Sequence, residues 1–334
     1  MVPRYLVDYK GSSLKTTLFG HEYDAPFGVA PIGLQGLIWP NASEILAKAA
    51  FEHNLPFVLS TVATSSIERI AELTAGKAWF QLYHPAQEVH RDDLLRRASD
   101  SGMEVLVILC DVPSFGFRPR DIRNGLSMPP RMTWHNIFQM LSRPAWAWQT
   151  LMQGKPEFAN LIPYMPGKMN LKGLGGFMDQ MFDGRLNETR IARLRDLWKG
   201  KLVLKGVASL EDTETAVRLG LDGVIVSNHG GRQLDAGEST IKPMAQIAKT
   251  YGNQIEVMMD SGIRSGADVA RCLSEGAAFT FLGRTFMYGV GALGKQGGQH
   301  TMNLLKAQLA QVMEQMSYEN VRDFRVAQGP ENGS

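Results

Sequence analysis

The chain has 334 residues, with 35 Lys and Arg against 33 Asp and Glu, a formal net charge of +2. Apolar residues at 44% and charged residues at 20% exclude a disordered or fibrous chain, and so small a net charge supplies no general pull toward nucleic acid or anionic lipid. Two cysteines, Cys110 and Cys272, cannot build a disulfide framework, and both fall in apolar segments without metal-type spacing. The opening stretch MVPRYLVDYK lacks the uninterrupted apolar core of a signal peptide. No stretch approaches the ~18 apolar residues of a spanning helix, so the expected location is cytoplasmic.

In chain order, eight short apolar runs recur, at 27–30, 56–60, 79–83, 104–110, 201–205, 223–227, 255–260 and 278–282. Such runs read as strands buried on both faces. The segments after them read as helix. Asn41 before Glu44, Ser65 before Glu68, Ser209 before Asp212 and Ser265 before Asp268 each set a capping residue three positions ahead of a carboxylate. Each pair opens an amphipathic stretch, at 45–51, 67–73, 213–219 and 269–273. Strand, loop and capped helix in repetition predict parallel strands with right-handed crossovers. Eight such units over roughly 250 residues predict an α/β fold, a TIM (β/α)8 barrel read as one domain over 1–334. A doubly wound open sheet is the competing arrangement, but no Gly-x-Gly-x-x-Gly follows the first run.

One spacing is irregular. About ninety residues separate Asp111 from Lys201 where ~30 would serve, which predicts an inserted loop or lid over 113–186 after the fourth strand. A helix over 188–198 then resumes the barrel. Within the insertion, Trp146, Trp148, Leu151 and Met152 either pack on the barrel or a neighbouring subunit, or form an exposed membrane-docking face.

In a barrel the active site forms where the strands end. The polar residues at those ends are Gln81 and Tyr83, Asp111, Lys205, the run Ser227-Asn-His-Gly-Gly-Arg232, the run Asp260-Ser-Gly-Ile-Arg264, and Gly283-Arg284. They are scattered in sequence but predicted to converge on one mouth. A lone histidine is more often a satisfied surface or core residue. His229, however, lies in a Gly-flanked loop with an arginine three residues on, which favours catalysis. Asp111 ends an apolar run, where a carboxylate is costly unless a histidine or arginine pairs with it. Lys205, similarly placed, could carry a Schiff base or act as a fixed charge for an anionic cofactor. Gly262, Gly283, Arg264 and Arg284 follow the last two strands, where barrels commonly hold phosphate on backbone N–H groups.

The run Ser227-Asn-His-Gly-Gly-Arg-Gln-Leu-Asp235 resembles the signature loop of the FMN-dependent α-hydroxy-acid oxidases and dehydrogenases, the family of glycolate oxidase, lactate oxidase, L-lactate dehydrogenase and mandelate dehydrogenase. Further matches are Ala30-Pro-Ile-Gly33, Ala63-Thr-Ser-Ser66, Phe80-Gln-Leu-Tyr83, Asp121-Ile-Arg-Asn-Gly125, Lys205-Gly206, Asp260-Ser-Gly-Ile-Arg264 and Leu282-Gly-Arg284. The resemblance spans about 16–294. It implies FMN as cofactor and oxidation of an (S)-2-hydroxy acid, lactate- or mandelate-like, to the 2-oxo acid. His229 would be the base at the α-carbon, or would take the hydroxyl proton while hydride leaves. Asp111 would bond His229, Arg232 and Arg118 would grip the substrate carboxylate, and Tyr83 would contact the hydroxyl or carboxylate. Lys205 would lie beside the flavin N1/O2 edge, with Gln81, Ser60 and Ser227 around the ring and the backbone of Pro31, Ile32 and Gly33 near N5. Asp260 would bond the ribityl chain, and Gly262, Arg264, Gly283 and Arg284 the phosphate. No metal is implied.

Departures from the family pattern also carry expectations. Members normally bear about fifty more residues before the point where this sequence opens, including a substrate-binding tyrosine. Weak or lost turnover in an FMN-binding barrel is therefore one alternative, and a non-redox FMN isomerase another. Val62 stands where glycolate oxidases carry tryptophan, Leu109 replaces a common threonine, and Gly33 occupies a position often alanine in oxidases. The resemblance leaves a quinone, another acceptor or O2 to take the electrons, and the last of these departures leans toward an acceptor other than O2. The resemblance further implies a homo-oligomer, a tetramer by analogy, and peripheral contact with the inner face of the membrane through the insertion.

Overall fold

The computed structural model describes residues 1–113, 123, 133–154, 156–167, 171–182 and 185–326. A short antiparallel hairpin, β1 (Thr16–Leu18) and β2 (His21–Tyr23), precedes the repeating part. Each apolar run then becomes a strand: β3 (Phe27–Val29), β4 (Val58–Ser60), β5 (Trp79–Leu82), β6 (Val105–Leu109), β7 (Lys201–Val207), β8 (Gly223–Val226), β9 (Glu256–Met259) and β10 (Phe279–Leu282). These eight pair in parallel in the order β3-β10-β9-β8-β7-β6-β5-β4. Val29 bridges Phe57 in parallel, and its amide donates to Pro56 O at 2.9 Å, so the two ends of the sheet meet. The result is the TIM barrel expected from the sequence, not an open doubly wound sheet.

The helices alternate with the strands as α1 (Ala42–Glu52), α2 (Ile67–Thr74) and α3 (Glu88–Asp100), before an insertion holding α4 (Trp134–Leu141), α5 (Pro144–Gln153) and α6 (Leu171–Met181). They continue as α7 (Glu188–Leu197), α8 (Leu210–Arg218), α9 (Ile241–Tyr251), α10 (Gly266–Ser274), α11 (Arg284–Leu293) and α12 (Gly297–Met316). Ser209 and Ser265 cap α8 and α10 as expected, and Ser265 forms the full reciprocal box with Asp268. Two caps differ. Ser66 rather than Ser65 caps α2, accepting from Arg69 N at 3.1 Å. Asn41 makes no side-chain cap bond, because its backbone is left-handed (φ 58°) rather than extended, the conformation that aims a capping side chain at the first-turn amides.

The strand period of two decides what the barrel contains. Leu106, Ile108, Leu202, Leu204, Val224 and Val226 face outward into the core shared with the helices. Their alternates Val105, Val107, Val203, Ile225, Met258, Phe279 and Phe281 face inward and pack together with Val58 and Trp79. The hairpin closes the N-terminal end of this inner core: Phe19 lies 5.7 Å from the Trp79 ring and Tyr23 5.7 Å from that of Phe279. Two residues further along five of the strands, the inward positions turn polar at Ser60, Gln81, Lys205, Ser227 and Asp260. One end of the barrel is therefore a dry plug and the other a buried polar floor. Both cysteines are free, and burial raises both thiols, Cys272 up to about 12, as befits small apolar fillers.

Candidate active site

The polar floor is a connected set of charges. Lys205 Nζ lies 3.0 Å from Asp260 Oδ2, 2.8 Å from Ser227 Oγ and 3.8 Å from Asp111 Oδ2. Asp111 Oδ2 in turn lies 3.2 Å from His229 Nδ1. A bulge in β7 permits this approach: the register with β8 shifts between Lys205 and Val207, and Gly206 has φ +103°. A Cβ at Gly206 would stand 2.6 Å from Asp111 Cβ, so glycine is required for the carboxylate to come alongside Lys205.

Electrostatics favour the charged forms of Lys205 and Asp111. Burial acts to lower the Lys205 ammonium, but Asp260 and Asp111 outweigh it and hold the pKa above its ordinary value. Burial acts to raise the Asp111 carboxyl, but Lys205 and the bond with His229 outweigh that and hold it below the ordinary value. An ionised carboxylate only accepts, so the His229 Nδ1 that faces Asp111 carries a hydrogen and Nε2 is the ring nitrogen left facing away from it.

The other expected residues that are described gather on the same rim. Ser60 Oγ donates to Gln81 Oε1 at 2.8 Å, which leaves Gln81 Nε2 buried and without a partner among the described residues. Tyr83 is buried, its ring 5.6 Å from that of Phe182. Pro31, Ile32 and Gly33 follow β3; a Cβ at Gly33 would meet Val62 Cγ2 at 2.7 Å, and Ile32 lies against Gly283. Gly33 and Val62, two of the positions that depart from the family pattern, are thus in contact. Gly262 has φ +77° and open space around it, and Arg264 and Arg284 are exposed beside the start of α11, whose N-terminus has no side-chain cap. Arg284 Nη2 also donates to Gly230 O at 2.8 Å, next to His229. Arg232 is exposed three residues after His229. Arg118 and most of the 121–125 motif lie outside the described residues.

Sequence reasoning missed Asn160. Fully buried, it comes from the insertion and takes hold of the loop after β4: Ile67 N donates to its Oδ1 at 2.8 Å, while its Nδ2 donates to Thr61 O and Ser65 O, each at 3.4 Å. Its signal was faint, one amide between apolar neighbours in Phe158-Ala-Asn-Leu161. The insertion meets the mouth again where Ala86 N donates to Met181 O at 2.8 Å. Between these anchors Val62, Tyr83, Leu109, Phe158, Met178 and Phe182 share an apolar cluster.

A separate groove of about 900 Å³ at the N-terminal end of the strands carries ion pairs of its own, Arg195 and Lys201 on Asp222 and Arg96 on Asp100. Its chemistry is that of a solvated surface. Among the described residues no His, Cys, Asp and Glu group could hold a metal ion, and no helix is long and apolar enough to cross a membrane.

Comparison with known proteins agrees with the barrel fold and gives the family. A family model described as FMN-dependent dehydrogenase matches residues 1–328. The chain is 36% identical over 311 residues to the L-lactate dehydrogenase of Vibrio cholerae serotype O1 (strain M66-2), covering 93% of this chain and 82% of that one. It is 38% identical over 303 residues to the L-lactate dehydrogenase of Vibrio parahaemolyticus serotype O3:K6, covering 90% and 79%. Among solved structures it resembles the monotopic membrane protein (S)-mandelate dehydrogenase, at 34% identity and TM-score 0.90, with 97% of this chain and 85% of that chain covered. Mandelate oxidase matches at 30% identity and TM-score 0.81, with coverage of 97% and 84%.

Proposed function

This chain belongs to the FMN-dependent dehydrogenase family, and from that premise we propose that it oxidises an (S)-2-hydroxy acid of the lactate or mandelate kind to the 2-oxo acid, with His229 receiving a proton. The observation that carries the reading is the contact of His229 Nδ1 with Asp111, 3.2 Å apart, on a rim whose floor is a buried lysine.

The residues present fit FMN. Gln81 Nε2 is a buried donor in want of an acceptor, as the ring edge of a flavin would supply. The uncapped N-terminus of α11 with Gly262, Gly283, Arg264 and Arg284 suits a phosphate, and Lys205 suits the anionic edge of a reduced ring. Ser60, Ser227 and the backbone of Pro31, Ile32 and Gly33 would line the ring, with Asp260 toward the ribityl chain. When bound, FMN supplies a two-electron acceptor for the α-carbon of the substrate.

The protein's own part is to place the substrate and move one proton. Arg232 would pair with the substrate carboxylate through its planar fork, with Tyr83 beside it and Arg118 as a second arginine. Two hydrogens leave the substrate, one from the hydroxyl and one from the α-carbon. One is received as a proton on His229 Nε2, and the other departs with the electron pair. Asp111 stabilises the imidazolium so formed. The apolar cluster over the mouth, Val62, Leu109, Met178 and Phe182, supports an apolar side chain on the substrate. Anaerobic addition of glycolate, L-lactate and (S)-mandelate to the holoprotein tests the reading. Bleaching of the flavin with one equivalent of 2-oxo acid is expected, with glycolate slowest; failure of every acid to bleach it would overturn the proposal.

The electrons then pass to a quinone or another acceptor, and the insertion supports a place at the membrane surface for that exchange. Trp134, Phe138 and Leu141 on α4, and Trp148, Leu151 and Met152 on α5, are all exposed at helical spacing. Among the described residues nothing covers them. Sedimentation with anionic vesicles should retain the protein and lose the double variant Trp148→Ser/Leu151→Ser; equal binding of both would contradict membrane contact through α5.

A further inference from the structure

The loop that carries His229 has three residues in succession at positive φ, His229 at 55°, Gly230 at 70° and Gly231 at 72°. No regular ladder supports such a run, and for histidine the conformation is one that L-residues rarely adopt. Side chains supply the support instead. Ser227 Oγ accepts from His229 N at 3.1 Å, and Asn228 Oδ1 accepts from Gly231 N at 3.1 Å. The two amides that flank His229 go to a different strand end: Ser261 Oγ accepts from Asn228 N at 3.3 Å and from Gly230 N at 3.1 Å. Its own hydroxyl proton is given to Asp260 Oδ1 at 2.8 Å, and Asp260 Oδ2 is the partner of Lys205.

Ser261 does this from an unfavourable backbone. Its φ is 75°, where glycine would be at ease and a Cβ is strained. Packing does not explain the residue, because the side chain is one carbon and a hydroxyl, and every bond that hydroxyl can make is directed at the His229 loop or at Asp260.

We propose that Ser261 is a positioning residue for the proton step: its hydroxyl clamps the amides on both sides of His229 and ties them to Asp260, so that the imidazole is held toward Asp111 from its backbone side. The contacts close a ring that runs from His229 through Asp111, Lys205, Asp260 and Ser261 back to the His229 loop. The proposal rests on the reading of His229 as proton acceptor. In it, the ion pair beneath the site and the geometry of the base are one unit.

The test uses holoprotein with Ser261→Gly and Ser261→Ala. Both lose the hydroxyl; the glycine variant also loses the backbone strain, so it should melt higher than the alanine variant. Amides at 228–231 should exchange with deuterium about tenfold faster in both variants, with exchange elsewhere unchanged. The limiting rate of anaerobic flavin reduction should fall about tenfold in both, although their melting temperatures differ. A residue with a merely structural role would give rates that follow stability, and the glycine variant would reduce faster than the alanine variant. A glycine variant that reduces at the parental rate, or unchanged exchange at 228–231, would overturn the proposal. If no 2-hydroxy acid reduces the parent, the assigned reaction falls, and the exchange measurement still decides whether Ser261 holds the loop.

Discussion

Lys205 carries its charge where water scarcely reaches, and its surroundings explain why the charge persists. Two carboxylates and a hydroxyl stand within 3.8 Å of its ammonium, and each of those carboxylates contacts another residue of the His229 loop or its clamp. Replacement by Met would leave Asp111 and Asp260 facing each other without a cation. We expect Lys205→Met to cost about 3–5 kcal/mol of holoprotein stability in urea unfolding. It should also raise the Asp111 carboxyl, since Lys205 is the chief influence opposing burial there. A loss below about 1 kcal/mol would show that the carboxylates are solvated and independent of the lysine. At this scale much of the site was legible in the sequence. Ser60, Gln81, Lys205, Ser227 and Asp260 each fall two residues beyond an inward apolar position, so strand parity alone points them at the mouth. Ser261 escaped notice as a clamp, because parity says nothing about a hydroxyl placed by a left-handed turn.

The elements differ in how openly they declare themselves. All eight barrel strands coincide with the apolar runs, because a strand covered on both faces must be continuously apolar. Helix starts were legible where a serine has extended backbone, at Ser209 and Ser265, and misread at Asn41, where the chain turns left-handed before α1. The insertion was legible as a surplus of length, with Arg118 expected at the substrate, but its anchoring on the loop after β4 was not. Its role depends on Asn160, whose partners are backbone atoms roughly ninety to a hundred residues away in sequence, beyond any local pattern. Asn160→Ala should strand the buried amide of Ile67 and release the loop that bears Ser60 and Val62. The expected cost is about 2–3 kcal/mol in thermal unfolding, with severalfold weaker FMN binding by fluorescence titration. Unchanged melting and unchanged FMN affinity would mean that the insertion merely rests on the barrel.

Across the whole molecule the arrangement is a closed cylinder with two unlike ends. Phe19, Tyr23, Trp79, Phe279 and Phe281 fill one, and the charged set fills the other. Such a division lets a rigid apolar plug fix the positions of groups that must be desolvated to work, and it brings residues as distant as Gly33 and Gly283 to one rim. The barrel by itself serves many chemistries, and it is the match over residues 1–328 that assigns this one to the FMN-dependent dehydrogenases. The central claim is that His229, oriented by Asp111, receives the proton that the substrate gives up, at a site whose residues would hold FMN as the two-electron acceptor. Anaerobic stopped-flow reduction of His229→Ala beside the parent, with the 2-hydroxy acid that bleaches the parent fastest, addresses it most directly. The variant should remain yellow with FMN bound and lose about 10²–10⁴-fold in the rate of flavin reduction; reduction within about threefold of the parental rate would place the proton on some other group.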